Sequence, residues 1–203
     1  MSNLLILCPV TDPLRARIDA KFGATALDDV DKDAWLTAHG ADVRFILTDG
    51  HIGVPSDIFA RLPSAEIISS NGVGYDGVDT ASATARGVPV CHTPNVLNQE
   101  VATTALMLYL ACWRKLEGEM AQARSGRWES EGNLPLPRSA DRRTIGILGL
   151  GRIGKAIAQR CHLGFGMRVV FHNRSTVTSL DFRAKQLDSL EDVMAEAGIV
   201  VVA

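Results

Sequence analysis

A chain of 203 residues, 46% hydrophobic and 22% charged, has globular composition and room for one large domain or two small ones. Its formal net charge of −2, with no run of Lys or Arg, offers nothing to nucleic acid or to an anionic membrane. The longest uncharged helical stretch, Val101 to Trp113, lies between Glu100 and Arg114 and falls short of the roughly 20 apolar residues of a bilayer span.

The opening segment MSNLLILCPV has no basic residue ahead of its apolar run, so it reads as a first strand and not as a signal peptide. Leu4 to Cys8, Val43 to Thr48 and Glu66 to Ser70 are predicted buried parallel strands. Pro13 to Phe22, Asp31 to His39 and Pro55 to Leu62 are the helices between them, two of them opened by proline. A helix near Asp79 to Arg86 leads to a fourth strand, Val88 to Cys91. Strands alternating with helices imply a doubly wound α/β layer with right-handed crossovers. The cysteines (Cys8, Cys91, Cys112, Cys161) lie far apart without a CxxC. They are expected to be reduced, mostly buried thiols of a cytoplasmic protein, with neither a disulfide framework nor a zinc site.

CHTPNVLNQE acts as a joint, because Pro94 disfavours helix at Thr93 and Asn95 or Asn98 can cap the next helix. That helix is predicted from about Gln99 to Arg124. It is apolar on most faces through VATTALMLYLACW, which means deep burial or a face shared with another subunit. SGRWESEGNLPLPRSADRR reads as an irregular polar connector. A second α/β unit begins at TIGILGLG, runs through a helix after Gly154 and reaches the strand MRVVFH. LEDVMAEAGIVVVA adds a helix and a strand, on which the sequence stops at Ala203; a strand with no closing crossover is expected of a truncated domain.

Two stretches carry the chemistry. GLGRIG stands between a strand and a helix: Gly149 permits the tight turn, Gly151 lets the backbone approach a pyrophosphate, and Gly154 lets helix and strand pack closely. The competing reading is a glycine-rich turn without a ligand. At the end of the next strand, an NAD site carries an acid for the ribose hydroxyls; here stand Asn173, Arg174 and Ser175. Asn173 does not repel a 2′-phosphate, Arg174 can pair with one and Ser175 can donate to it. A charge-assisted hydrogen bond contributes about 1.5–3 kcal/mol, roughly ten- to a hundredfold in affinity. NADP(H) is therefore favoured over NAD(H), the alternative being a solvated Arg174 with NAD bound through Asn173.

NGVGYDGVDTASATARGVPVCHTPNVLNQEVATTALMLYLA followed by GILGLGRIGKAIAQR resembles the D-isomer-specific 2-hydroxyacid dehydrogenase family over essentially the whole chain. Within that family it is similar to the NADP-preferring glyoxylate/hydroxypyruvate reductase branch. The resemblance implies an α/β protein in which a flavodoxin-like substrate domain, residues 1–97 here, is followed by a Rossmann doubly wound parallel-sheet domain. Residues 98–203 would be the first half of that dinucleotide-binding domain, with substrate held between the two.

It further implies that Val73 and Gly74 bind the substrate carboxylate through backbone N–H groups, with Asn71 and Gly72 shaping the turn. Taken alone, NGVG reads as a strand-to-helix turn, although consecutive free N–H groups do form an anion-binding concavity. Thr104 falls where the family often contacts the cofactor near its nicotinamide end, or else packs in a helix interface. Arg152 and Ile153 fall at the pyrophosphate. The helix around 99–124 and the SGRW connector resemble dimerisation elements, so a homodimer is expected.

The family reduces a small 2-oxo acid to the D-2-hydroxy acid by hydride transfer, with an Arg on the carboxylate and a His, tuned by a Glu, as proton donor. In the family these three lie beyond the fourth cofactor-domain strand, so no catalytic residue is assigned within this chain. His39, His51, His92, His162 and His172 offer no substitute. The parent protein is expected to be a reductase and the polypeptide ending at Ala203 inactive. Two alternatives remain: a catalytically idle NAD(P)-binding regulator, and an NAD-linked D-2-hydroxyacid dehydrogenase.

Overall fold

In the computed structural model, which describes residues 3–203, the short apolar runs become parallel strands and the segments between them helices. The chain divides into two units, one ending at Val96 and the other running from Leu97 to Ala203.

The first unit comprises β1 (Leu4–Ile6), α1 (Asp12–Phe22), β2 (Thr25–Ala26), α2 (Lys32–His39), β3 (Phe45–Thr48), α3 (Ser56–Ala60), β4 (Ile67–Ser70), α4 (Thr80–Ala85) and β5 (Val90–Cys91). All pairings are parallel, in the order β2-β1-β3-β4-β5, the strand order of flavodoxin-like sheets. Both faces are covered, so the strands need continuous apolar runs instead of an alternating pattern. Leu5 and Leu7 pack with Leu36, Ile46, Leu62 and Ile68 on one side, while Leu4 and Ile6 pack with Ile18 on the other. Local chemistry sets the helix ends. Asp31 caps α2 by accepting from the Ala34 N–H at 2.9 Å, and Gly23 ends α1 in the left-handed region at φ 57°.

The second unit comprises α5 (Asn98–Trp113), α6 (Leu116–Ser125), α7 (Trp128–Glu131), β6 (Thr144–Leu148), α8 (Arg152–Phe165), β7 (Arg168–His172), β8 (Ala184–Gln186), α9 (Leu190–Glu196) and β9 (Ile199–Val202). Its parallel sheet has the order β8-β7-β6-β9, which is the 3-2-1-4 half of a Rossmann sheet. Ile145, Ile147, Val169 and Phe171 form its core with Ala158 and Cys161 from α8. Leu148 is in register with His172 on one side and Val202 on the other, so the carboxyl ends of three strands are level. Among the described residues no helix is long and apolar enough to cross a membrane.

Several expectations need correction. The helix predicted over 99–124 is two helices, because Lys115 adopts a left-handed φ of 54° and starts α6 in a new direction. Leu97 holds the N-cap position of α5 with no side-chain cap, and Asn95, expected as a cap, instead takes φ 70° in the joint; asparagine tolerates that region better than most residues. The polar connector contains one helical turn, α7. Only Cys8 and Cys161 are buried, while Cys91 and Cys112 are exposed.

Candidate functional site

The glycine loop leaves β6 and enters α8 at its N-cap, Gly151. Gly149 has φ 97°, and a Cβ there would overlap the carbonyl oxygen of Ala203. A Cβ on Gly154 would overlap the carbonyl of Gly149 and stand 3.2 Å from the Ile147 side chain. Gly149 and Gly154 therefore have to be glycine for the fold itself. Gly151 differs, since a Cβ there would meet only open space. The first turn of α8 contains no acid, so the positive helix end is uncompensated. Arg152 is exposed there and Ile153 half-buried.

The loop after β7 lies beside it, because the Gly149 N–H donates to the His172 carbonyl at 3.0 Å. Asn173 does not reach outward. Its Nδ2 donates to the Ser175 carbonyl at 3.1 Å and to Ser175 Oγ at 3.2 Å. The Ser175 hydroxyl thus accepts from Asn173 and keeps its own proton free to donate. Arg174 is exposed and forms no ion pair among the described residues. From Asn173 to Leu180 the loop holds no carboxylate; its one acid, Asp181, accepts from Gln159 Nε2 at 3.3 Å.

In the first unit, NGVG follows β4 and is held from behind. The Asn71 N–H donates to the Thr48 carbonyl at 2.7 Å, and the Gly72 carbonyl accepts from the Thr93 N–H at 2.8 Å. The Val73 carbonyl faces His92 Nδ1 at 2.8 Å, and the Gly74 carbonyl accepts from Ser70 Oγ at 2.7 Å. No peptide bond among the described residues is cis, and in a trans peptide the N–H points opposite to the carbonyl of the same unit. With the Gly72 and Val73 carbonyls pulled back, the N–H groups of Val73 and Gly74 face the other way, and neither has an acceptor among the described residues. The loop after β3 presses on the same turn: a Cβ on Gly50 would stand 2.8 Å from the Gly74 carbonyl oxygen.

Thr104 is exposed on α5, on a helix that also exposes Val101, Met107 and Leu108. Three histidines are spent on backbone carbonyls through Nδ1: His92 on Val73, His162 on Met167 at 2.9 Å and His172 on Leu187 at 3.2 Å. Burial pushes the Cys161 thiol up to about 11, and burial together with the charge of Asp49 pushes Cys8 up to about 11. Neither thiol is a nucleophile near neutral pH. Sequence reasoning missed the supports behind the loops, His92 and Ser70 in one unit and Gln186 in the other. Ser70 reaches the turn that follows its own strand, whereas His92 and Gln186 act through side-chain bonds to backbone that only strand neighbours bring within reach.

Residues 106–203 match the family model described as D-isomer specific 2-hydroxyacid dehydrogenase, NAD binding domain. The chain is 34% identical to the glyoxylate/hydroxypyruvate reductase B of Pectobacterium atrosepticum, over 98% of this chain and 62% of that protein. It superposes on a 2-hydroxyacid dehydrogenase from Ketogulonicigenium vulgare with a TM-score of 0.93 and 33% identity, covering 100% of this chain and 64% of that one. An NADPH-dependent glyoxylate/hydroxypyruvate reductase from Sinorhizobium meliloti, solved with NADP and malonate, gives a TM-score of 0.86 and 35% identity over 99% and 61%. The chain spans about six-tenths of the length of these relatives.

Proposed function

The chain belongs to the D-isomer-specific 2-hydroxyacid dehydrogenase family, and from that premise we propose that the protein reduces a small 2-oxo acid of the glyoxylate or hydroxypyruvate type, preferring NADPH to NADH. The observation that carries the reading is the pair of N–H groups of Val73 and Gly74, left without acceptors by the anchoring of the Gly72 and Val73 carbonyls. Two adjacent backbone N–H groups whose protons are free suit a carboxylate. The turn offers no additional cation, which favours an unphosphorylated acid.

The residues present fit a dinucleotide. Gly151 keeps open space at an acid-free helix start, where backbone N–H groups, with Arg152 and Ile153, would hold the pyrophosphate. Asn173, Arg174 and Ser175 would hold the adenosine end, Arg174 pairing with a 2′-phosphate and Ser175 donating its hydroxyl proton to it. When bound, the nicotinamide supplies the hydride. Thr104 would contact the nicotinamide side. The Val73–Gly74 turn binds and orients the substrate's carboxylate. Neither the proton donor to the developing alkoxide nor its arginine partner is assigned among residues 3–203. The exposed apolar side chains Val101, Met107 and Leu108 on α5 and Leu116 and Met120 on α6 support a homodimer formed through the segment around 99–124.

Titration with NADPH and NADH, followed by cofactor fluorescence, tests the reading together with steady-state reduction of glyoxylate and hydroxypyruvate by the full-length protein. NADPH should bind at least about tenfold more tightly, a difference one charge-assisted contact can supply. Equal binding of the two cofactors, or no turnover of either acid, would remove the corresponding half of the proposal.

A further inference from the structure

We propose that Gln186 is a selectivity residue for the cofactor that never touches it: its amide holds the loop from Asn173 to Val177 in the arrangement that can grip a 2′-phosphate. The inference rests on the reading that this loop binds the adenosine end of NADP(H).

Gln186 ends β8, half-buried and in register with Phe171 of β7. Its Oε1 accepts from the Val177 N–H at 3.0 Å. Its Nε2 donates to the Ser175 carbonyl at 3.1 Å and to the Asn173 carbonyl at 3.4 Å. The partners fix the orientation of the amide, since an N–H can only donate and a carbonyl can only accept. One side chain thus satisfies three backbone groups at alternate positions, 173, 175 and 177. Asn173 adds a second donor to the Ser175 carbonyl.

Planarity of the peptide then decides what the outer side of the loop presents. Because the carbonyls of Asn173 and Ser175 turn towards Gln186, the N–H groups of Arg174 and Thr176 turn away from it, and neither has an acceptor among the described residues. The Ser175 hydroxyl, which accepts from Asn173, still has a proton to give. With the Arg174 guanidinium, a single short loop offers two backbone donors, a hydroxyl and a cation. A phosphate dianion has enough acceptor sites for such a set, whereas a bare ribose 2′-hydroxyl can use only part of it. A loop freed from Gln186 would have to be ordered by the ligand itself, and only the phosphorylated cofactor depends on the whole set.

Two variants of the full-length protein, Gln186→Leu and Gln186→Glu, test this against wild type by titration with NADPH and NADH. Leucine keeps the bulk and removes all three bonds. It should loosen NADPH about tenfold and leave NADH within about twofold, a change in the ratio of cofactor affinities that a loss of general stability would not produce. Glutamate keeps an acceptor for Val177 but opposes the two carbonyls with negative charge, and should loosen NADPH further. Amide hydrogen exchange without cofactor gives an independent readout: Val177 should exchange faster in the leucine variant than in wild type. An unchanged affinity ratio in Gln186→Leu, equal loss of both cofactors, or unchanged protection at Val177 would each overturn the inference alone. A wild-type protein without NADPH preference would overturn the cofactor reading, and this inference with it.

Discussion

The Nδ1 nitrogen of His92 stands 2.8 Å from the carbonyl oxygen of Val73, and that bond decides which way the Val73–Gly74 peptide faces. The carbonyl has no proton to give, so the imidazole must carry its hydrogen on Nδ1. The edge-on packing of Tyr75, 5.0 Å between ring centroids, steadies the ring. Removing the imidazole frees the peptide to rotate. His92→Ala should therefore raise KM for the 2-oxo acid by about two- to tenfold, the equivalent of one hydrogen bond, with kcat changed less. A fall in kcat at constant KM would contradict this role.

Two glycines three positions apart should respond in opposite ways. Gly154→Ala drives a methyl into the Gly149 carbonyl and should lower the melting temperature markedly, by a mechanism that costs about 1–3 kcal/mol or more. Gly151→Ala places its methyl in open space, so the melting temperature should stay within a few degrees while cofactor binding weakens. Thermal unfolding and cofactor titration on both variants check the pair.

Arg174→Ala should loosen NADPH by about ten- to a hundredfold and leave NADH almost unaffected, since only a 2′-phosphate gains from the charge. Raising the ionic strength should narrow the wild-type gap between the cofactors in the same direction, because the guanidinium is exposed and its attraction is screened. Calorimetric titration at low and high salt reads both effects.

The thiols should divide by burial. Iodoacetamide at pH 8 should label Cys91 and Cys112 and leave Cys8 and Cys161 until the protein is denatured. Stability should fall as the solution becomes alkaline. The unfolded thiols ionise near 9 and the folded ones near 11. Between those values the unfolded state binds fewer protons, so each thiol removes up to about 1.4 kcal/mol per pH unit. Urea midpoints measured from pH 8 to 11 report the slope.

Much of this architecture is legible in the sequence because burial on both faces requires long apolar runs, as in Leu4 to Cys8 and Val169 to Phe171. The glycine loop is legible because backbone crowding restricts Gly149 and Gly154 to one residue type. The elements that escaped did so for physical reasons. β2 is two residues long and β8 reads AKQ, so neither carries a pattern. Lys115 breaks the helix without a glycine or proline at the break itself, and Gly118, three residues on, lies inside α6. Gln186 lies in a polar stretch where a glutamine signifies nothing until the pairing of β8 with β7 places it behind the loop.

The anchoring of NGVG from behind also bears on how this protein can change. The anion donors proposed for it are backbone groups, so the identity of residue 73 should matter little beyond size, and drift there should be nearly silent. The intolerant positions are those whose side chains hold it, Ser70 at the end of β4 and His92 just past the neighbouring β5, both outside the loop. A saturation library scored for growth on the reaction should therefore show a permissive centre ringed by restrictive neighbours, with the record of selection written one strand away from the ligand.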